Sequence, residues 1–573
     1  MNKMIYKVFA GLALLTLAAC SETSYDEKYP DPSKTTTVGV SQVFTGILYK
    51  GNTWMNPLYY RYYVQSTTSG TFSGVIGNSN GKGRYRGAGE GYFNTRWQNF
   101  YDMVTQYRLL EQTYDKLTED EKSVNYIFKL LGRTLVESQL HEVLSIWGDV
   151  PYTGAGTLWS SSDYNHAKTL CAYDDDVVLY KQILVDLKEV GDYFAAGSLN
   201  AAGLAALARQ DYTMAGGKAS KWQKYVNSLR LRIALHLATN GDCVNEARAA
   251  IAEILNNPSK YPLIESNDDN MGVTADTQTD DFNFGKSLSQ ALAGRGEGSG
   301  SQAMLSAMHV PANGIPDANT DPRLAVMYDC NPDGEYVAYD VKLTDTEIGV
   351  IADNKNKEYV SRGITSSNYY CYVDSQAVAG WTTYQGNANF HGIWLSAAEV
   401  ALSKAEAYLM GYGVTANAET AKTNFVNGVK LSTEFYWNLK KNSSLYKAGN
   451  DSYNGFRTLV EPTAAEIQAY AENIWQPTQE CVATQLWLNF GFINELEAWN
   501  VTRRTGYPLV TFAEDKQISS YPTPPNRLPY PSDELNYNSV NVQEAISKNY
   551  EETTGYYTNL FWAKKVYYNL VSN

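Results

Sequence analysis

The chain runs to 573 residues, more than one compact core ordinarily holds, so a large domain or two fused layers is expected. Its net charge of −14 repels a phosphate backbone and no basic stripe offsets it, which argues against a nucleic-acid partner. With 45 Tyr and 12 Trp, aromatic residues reach 13% of the chain, a composition suited to keeping many amphipathic rings near water.

At the N-terminus Lys3 and Lys7 supply positive charge around an apolar run, Phe9, Leu12, Leu14 and Leu15, too short to span a bilayer as a helix. The run ends in Leu17-Ala18-Ala19-Cys20, and small residues before a cysteine are what a lipoprotein signal peptidase requires. Residues 1–19 are therefore expected to be a lipoprotein signal peptide, with Cys20 carrying the lipid. Several acyl chains on one residue hold a protein at a membrane, each buried methylene contributing about 0.8 kcal/mol. The polar stretch that follows contains Pro30 and Pro32 and has nothing periodic to bury. Residues 20–38 thus read as the lipidated cysteine and a flexible tether, and 39–573 as the folded domain.

Helical periodicity comes next. Ile127, Leu130, Leu131, Leu135, Leu140, Val143, Leu144 and Trp147 recur at spacings of three to five, as do Trp222, Val226, Leu229, Ile233 and Leu237. A third stripe, Ala398, Leu402, Ala405 and Leu409, runs to Gly411 as a helix stop, and a fourth joins Leu486, Phe490, Ile493 and Leu496. Gly132, Ala234, Ala238, Ala401 and Ala405 on these faces allow close approach, which predicts a mostly α fold of paired helices stacked as a solenoid-like scaffold. From about 262 to 390 the composition shifts to Asn, Asp, Gly, Ser and Tyr with little periodicity. So long an irregular insert is usually functional. Residues 50–95 read the same way, with Trp54, Tyr59, Tyr60, Tyr62 and Tyr63 before a glycine-rich run from Gly70 to Gly91.

Constellations for chemistry are weak. The run Gly294-Arg295-Gly296-Glu297-Gly298-Ser299-Gly300 fits neither a nucleophile elbow nor a phosphate loop, and His141-Glu142 lacks the second histidine of a zincin. The histidines are scattered at 141, 166, 236, 309 and 391. Glu399 and Glu406 read as a solvated helix face, and Asp174-Asp175-Asp176 as a favourable helix N-terminus. No cofactor is expected. A structural calcium at Asp174–Asp176 or at Asp268 and Asp269 stays open, although both lack the glycine and terminal glutamate of an EF-hand. Beyond Cys20 there are five cysteines, Cys171, Cys243, Cys330, Cys371 and Cys481, without CxxC spacing. This indicates neither zinc nor a disulfide framework, while one pair such as Cys330 with Cys371 stays open in an exported protein.

Several segments in chain order resemble the SusD/RagB family of outer-membrane lipoproteins. Trp147-Gly148-Asp149-Val150-Pro151-Tyr152 is similar to its WGDVPY turn, and Tyr180 to Leu187 to the helix that follows. Lys221-Trp222 with Asn227-Ser228-Leu229-Arg230-Leu231-Arg232 matches its KW…NSLRLR helix, and Asp321-Pro322-Arg323-Leu324 its DPRL turn. Glu399-Val400 with Ala405-Glu406-Ala407, then Arg503-Arg504-Thr505-Gly506-Tyr507-Pro508, then Arg527-Leu528-Pro529-Tyr530-Pro531 with Glu534 and Asn536 complete the series. Glu22, Asp26 and Glu27 behind Cys20 resemble surface-export signals of Bacteroidetes-type lipoproteins. The resemblance implies tetratricopeptide-like helix pairs with a loop-rich subdomain. It also implies a non-catalytic glycan binder, lipid-anchored on the extracellular face of the outer membrane and seated over a SusC-like TonB-dependent β-barrel. The motif residues read as scaffold, with Arg503 and Arg504 expected to pair with carboxylates such as Glu495 or Glu497.

In such a family the sugar site is built from loops near the N-terminal helices and from the insert. Aromatic residues outside helical stripes in those regions are Phe72, Tyr85 and Tyr92, with Asn78 and Asn80 beside them, and Phe284, Tyr369, Tyr370, Tyr372, Trp381 and Tyr384. Trp381 ranks first, because Gly380 and Thr382-Thr383 suggest a loop and an indole is the broadest stacking plate. Rings stack on the apolar faces of sugars while amides and carboxylates bind hydroxyls, which favours an oligo- or polysaccharide ligand. The alternatives are a RagB-like peptide or glycoprotein binder and a surface glycosidase, whose two carboxylates need not be near in sequence.

Overall fold

The computed structural model describes residues 38–572 apart from 52–53, 82, 88, 158–169, 294–298, 365–367, 379–385, 447–458, 553–554 and 565–566. Cys20, the tether, Trp381 and Tyr384 therefore lie outside the described residues. The chain begins with α1 (Val40–Lys50) and α2 (Tyr59–Thr67), then two long helices, α3 (Glu90–Asp115) and α4 (Glu119–Trp147). A capping box starts α4: Thr118 Oγ1 accepts the Glu121 amide while the Glu121 carboxylate accepts the Thr118 amide. Next come α5 (Asp176–Ala195), α6 (Ala201–Gln210), α7 (Ala219–Leu237) and α8 (Val244–Asn256). Asp175 caps α5 by accepting the Val178 amide, so the acidic run is a helix start as expected.

The insert is bracketed by β1 (Met271–Val273) and β2 (Gly392–Leu395), which pair antiparallel and bring its two ends together. Between them lie α9 (Phe284–Ala293) and α10 (Asp345–Ser361), so the insert is less irregular than its composition suggests. Likewise α2 occupies part of the 50–95 stretch read as loop. The scaffold resumes with α11 (Ala397–Met410), α12 (Ala418–Lys441), α13 (Ala464–Ile474), α14 (Gln479–Phe490) and α15 (Glu495–Thr505). The fourth apolar stripe thus spans two helices, broken where Gly491 takes φ 42° and Asn494 caps α15. Finally β3 (Val510–Ala513) and β4 (Tyr568–Val571) pair in parallel, with α16 (Ser539–Asn549) between them.

Neighbouring helices pack as pairs, α3 on α4, α7 on α8, α11 on α12 and α14 on α15, and the pairs join through α5 on α7 and α11 on α14. The fold is mostly α, as the periodicity predicts. Gly428 marks a close crossing of α12 on α11, because a Cβ there would sit 2.6 Å from Leu402 Cγ. Gly411 ends α11 with φ 68°, a left-handed turn that costs glycine little. No described helix is long and apolar enough to cross a membrane.

Two sequence readings are corrected inside this core. Glu399 and Glu406 are not a solvated face: they are 3% and 0% exposed, and each takes a bidentate guanidinium. Arg232 from α7 holds Glu399 at 2.5 and 2.6 Å, and Arg504 from α15 holds Glu406 at 2.6 and 2.6 Å. Arg503 donates instead to the carbonyls of Asn526 and Ser145 and to Asn500, with its guanidinium 3.5 Å from the Trp499 ring centroid. Glu495 and Glu497 open α15 while the arginines close it, so the expected pairs are two turns out of reach. Burial opposes the charge on Glu497, yet the bond from His141 at 3.2 Å and the positive groups around it hold its carboxyl below the usual range.

Removing one member of a buried ion pair strands its partner's charge. Arg504→Ala is expected to cost about 3–5 kcal/mol of unfolding free energy in urea melts, with Arg504→Met plus Glu406→Leu recovering most of it. A loss below about 1 kcal/mol for the single change would reduce the pair to the standing of a surface contact.

Candidate functional site

At the surface formed by α2 and the first turn of α3, four tyrosines meet. Tyr59 stacks on Tyr63 with centroids 5.5 Å apart, and Tyr92 lies 4.7 Å from Tyr63 and 6.0 Å from Tyr60. Tyr60 is 46% exposed and Tyr92 half-buried. Gly89 leads into α3 at φ 94°, a left-handed turn that favours glycine, and a Cβ there would meet open space.

The insert supplies a second cluster. Tyr370 meets Tyr339 edge-on at 4.7 Å and Tyr369 at 4.9 Å, and the Tyr339 and Tyr372 hydroxyls are 3.0 Å apart. Bridges of Ser299 to Tyr372 and of Ser301 to Tyr339 hold this group on the insert's backbone. Burial, reinforced by the neighbouring Tyr372, pushes the Tyr339 phenol up, and burial pushes Tyr370 up to about 12. These hydroxyls therefore stay protonated, as neutral donors, across physiological pH. Beside them Asn78 donates to Thr71 Oγ1 at 2.7 Å, at a cavity of about 30 Å³ lined also by Tyr85 and Tyr339. That space suits water rather than a sugar ring.

The described residues on either side of positions 379–385 are bonded to each other and to the scaffold. The Asn387 amide donates to Val378 O at 3.0 Å, and its side chain donates to Ala377 O at 2.8 Å and Leu439 O at 3.3 Å. Gly386 abuts the first turn of α9: a Cβ on it would lie 1.9 Å from Gly285 O. Since α9 packs on α2, this junction is tied to the helix that carries the first tyrosine group.

A cavity of about 500 Å³ opens between the 267–270 turn, residues 389–393 and the end of α12. Asn267, Asn270 and Asn389 build its frame, donating to Leu431 O, Asn267 Oδ1 and Asn442 O. His391 accepts the Ala275 amide on Nδ1, and burial lowers its pKa, so the ring is neutral with its proton on Nε2. Phe435 is half-buried in the wall while Asn438, Asn442 and Asp268 are exposed. This amide-and-ring cavity was not legible in sequence, because its walls come from four segments, from Met214 to Asn442, that no window of sequence joins.

Several expected site residues are core. Phe72, Tyr85 and Phe284 are each 0% exposed: Phe72 packs edge-on against Trp499, Tyr85 donates to Ala513 O at 2.7 Å, and Phe284 opens α9 rather than lying in a loop. Asn80 is buried, accepting the Lys516 amide at 3.0 Å and donating to Lys342 O at 3.4 Å, so it ties strands of chain together. Tyr370 is buried beneath Tyr369 and Tyr339, leaving Tyr369, Tyr372 and Tyr92 half-buried. The acidic clusters are also engaged. Asp174 accepts the Tyr152 and Thr153 amides and Asp269 pairs with Lys224 at 2.7 Å, and no grouping of three metal-ligating side chains occurs among the described residues. His141 lies between Glu497 and Tyr180 Oη, a charge-relay-like order, but at 1% exposure no substrate reaches it.

Paired helices carrying a loop-built insert with tyrosine and amide surfaces define a helical-repeat scaffold protein. The family model for SusD-like proteins, described as starch-binding and associating with the outer membrane, matches residues 32–531, and the chain belongs to that family. Among solved structures it is similar to a chitin-binding protein, at 21% identity over 91% of this chain and 99% of that one, with a TM-score of 0.65. It is also similar to a SusD homolog from Bacteroides uniformis (20% identity, 92% and 100% covered, TM-score 0.60) and to a chitin-binding SusD homolog from Flavobacterium johnsoniae (19%, 91% and 98%, 0.60). No protein of curated function matches.

Asn387→Ala deletes the amide that joins the described residues on either side of 379–385 and leaves buried carbonyls without a donor. The expected cost is about 1–3 kcal/mol, with faster amide exchange at 376–390 than elsewhere. Exchange raised uniformly along the chain would show that Asn387 holds no local junction.

Proposed function

We propose that this chain is a non-catalytic, lipid-anchored surface protein that captures an oligo- or polysaccharide and passes it to a SusC-like TonB-dependent β-barrel. The observation that carries this reading is whole-length similarity to chitin-binding members of the fold, on a chain whose family associates with the outer membrane. The groups at these surfaces fit it: phenol hydroxyls, primary amides and ring faces match the hydroxyls and apolar faces of a sugar. The side chains proposed to meet the ligand are Trp381, Tyr384, Tyr369, Tyr372 and Tyr92, with Tyr60 beside Tyr92.

Trp381→Ala is expected to weaken binding in a polysaccharide affinity gel about tenfold or more, with the melting temperature unchanged, since a stacked ring is worth about 1–3 kcal/mol. Phe435→Ala is expected to leave that affinity intact. The reverse result would move the site to the cavity beside Asn438. Incubation with the bound polysaccharide is expected to release no new reducing ends, and release abolished by changing one Asp or Glu would make the protein a glycosidase.

Replacing Cys20 with Ala is expected to yield a folded, soluble protein. Retention in the outer-membrane fraction as firm as the parent's, in cells lacking the β-barrel partner, would refute the lipid anchor.

A further inference from the structure

Within the insert the segments bearing Cys330 and Cys371 run side by side. The bridge of Tyr328 to Val373 is antiparallel, and it is flanked by Asp374 N–H donating to Met327 O at 2.8 Å and Asp329 N–H donating to Tyr372 O at 2.8 Å. Those two bonds make Tyr328 and Val373 a non-hydrogen-bonded pair. The bridge is isolated; extending its register two residues along, with the period of an extended chain, sets Cys330 opposite Cys371 on the same face. The Asn331 side chain reaches Tyr369 O at 3.5 Å just beyond, so the two segments stay together past the cysteines. Cys371 shares its face with Tyr328, since a Cβ on Gly300 would meet both Cys371 Sγ, at 2.5 Å, and the Tyr328 ring, at 3.4 Å. Residues opposed in this way have Cα atoms about 4.5 Å apart, inside the range of about 4.4–6.8 Å that a disulfide spans. Cys330 and Cys371 are 5% and 1% exposed, and the described cysteines stand in the thiol form.

We propose that Cys330 and Cys371 are joined by a disulfide in the exported protein, closing residues 331–370, the part of the insert that carries Tyr339, Tyr369 and Tyr370. The inference rests on passage beyond the reducing cytosol, which outer-membrane association requires, and not on which ligand is bound. The chemistry needs a protein disulfide donor of the dithiol-oxidase class. One cysteine thiolate attacks a donor sulfur, forming a mixed disulfide and releasing the other donor sulfur as a thiolate. The second cysteine thiolate then attacks the protein sulfur of that mixed disulfide, forming the Cys330–Cys371 bond and expelling the first donor sulfur. The two protein thiols lose two electrons and two protons, and the donor disulfide becomes a dithiol. Burial pushes the Cys371 thiol up to about 12, so exchange occurs before the segments close over it. The remaining cysteines stand elsewhere: the Cys243 thiol contacts Val177 O and the Cys481 thiol Ile474 O.

The test uses the full chain extracted from outer membranes and unfolded in N-ethylmaleimide without reductant, followed by peptide mass spectrometry. A linked pair of peptides holding Cys330 and Cys371, lost on prior reduction, is expected, with Cys171, Cys243 and Cys481 alkylated. Alkylation of both Cys330 and Cys371 in most molecules, or linkage of either to another cysteine, overturns the proposal. Because this reads the native chain, it holds even where Cys330→Ser with Cys371→Ser fails to fold. Where that double variant folds, cleavage within 331–370 under limited proteolysis is expected to quicken relative to the rest of the chain, and an unchanged pattern would deny the bond any hold on the insert.

Discussion

Helix α11 carries Glu399 and Glu406 into the core two turns apart, and each is met by a bidentate guanidinium from a different helix, Arg232 on α7 and Arg504 on α15. Desolvating four charges offsets most of the Coulombic gain, so such pairs add little net stability compared with well-packed apolar residues. They act instead through the alternatives they forbid. Sliding α11 by one turn against either neighbour strands a buried charge, whereas apolar ridges alone tolerate slippage. Thus α11 is the joint at which the N-terminal and C-terminal helix pairs acquire one register.

The same device sets the insert on the scaffold. Arg323 takes both oxygens of Asp321 and then donates to Ser432 on α12 and Gln485 on α14, so the turn that closes the insert's middle is bonded to two scaffold helices. Near the insert's far end Lys440, 0% exposed on α12, pairs with Asp374, whose other oxygen caps the Gln376 and Ala377 amides. Burial and the charge of Asp374 push the neighbouring Asp329 carboxyl up. With β1 and β2 joining its two ends, the insert is held at its middle, its end and its base. The tyrosines it displays are carried on a rigid mount.

What was legible in the sequence follows from range. Apolar spacing within one helix is local, so α4, α7 and α11 are readable from their stripes, and Gly411 from the stop it provides. The fate of a charge is not local. Glu399 looked solvated because its partner lies 167 residues away, and no window of sequence contains both. The glycine-rich stretch misled in the opposite direction. The run from Gly70 to Gly91 suggests a loop around Phe72, whereas a Cβ on Gly74 would strike Val510 at 2.6 Å and one on Gly70 would crowd Ile76 and Glu495. Those glycines allow dense packing, and Phe72 is core for that reason. Tyr369 and Tyr372 lie outside helices as expected, whereas Tyr92, read as a loop residue, stands in the first turn of α3, and its place beside Tyr60 and Tyr63 needed the fold.

The arrangement of rings has a further physical consequence. A lone exposed tyrosine loses rotamer freedom when a ligand settles on it, at about 0.5–1.5 kcal/mol for an immobilised side chain. Here Tyr92 is already wedged between Tyr60 and Tyr63, and the Tyr339 and Tyr372 hydroxyls restrain each other. That ordering is supplied by folding, so a ligand meeting these rings forfeits little of its contact energy to fixing them. Partial burial and usefulness at the surface are therefore not opposed: the edge of each ring that packs inward is what holds the outward face still.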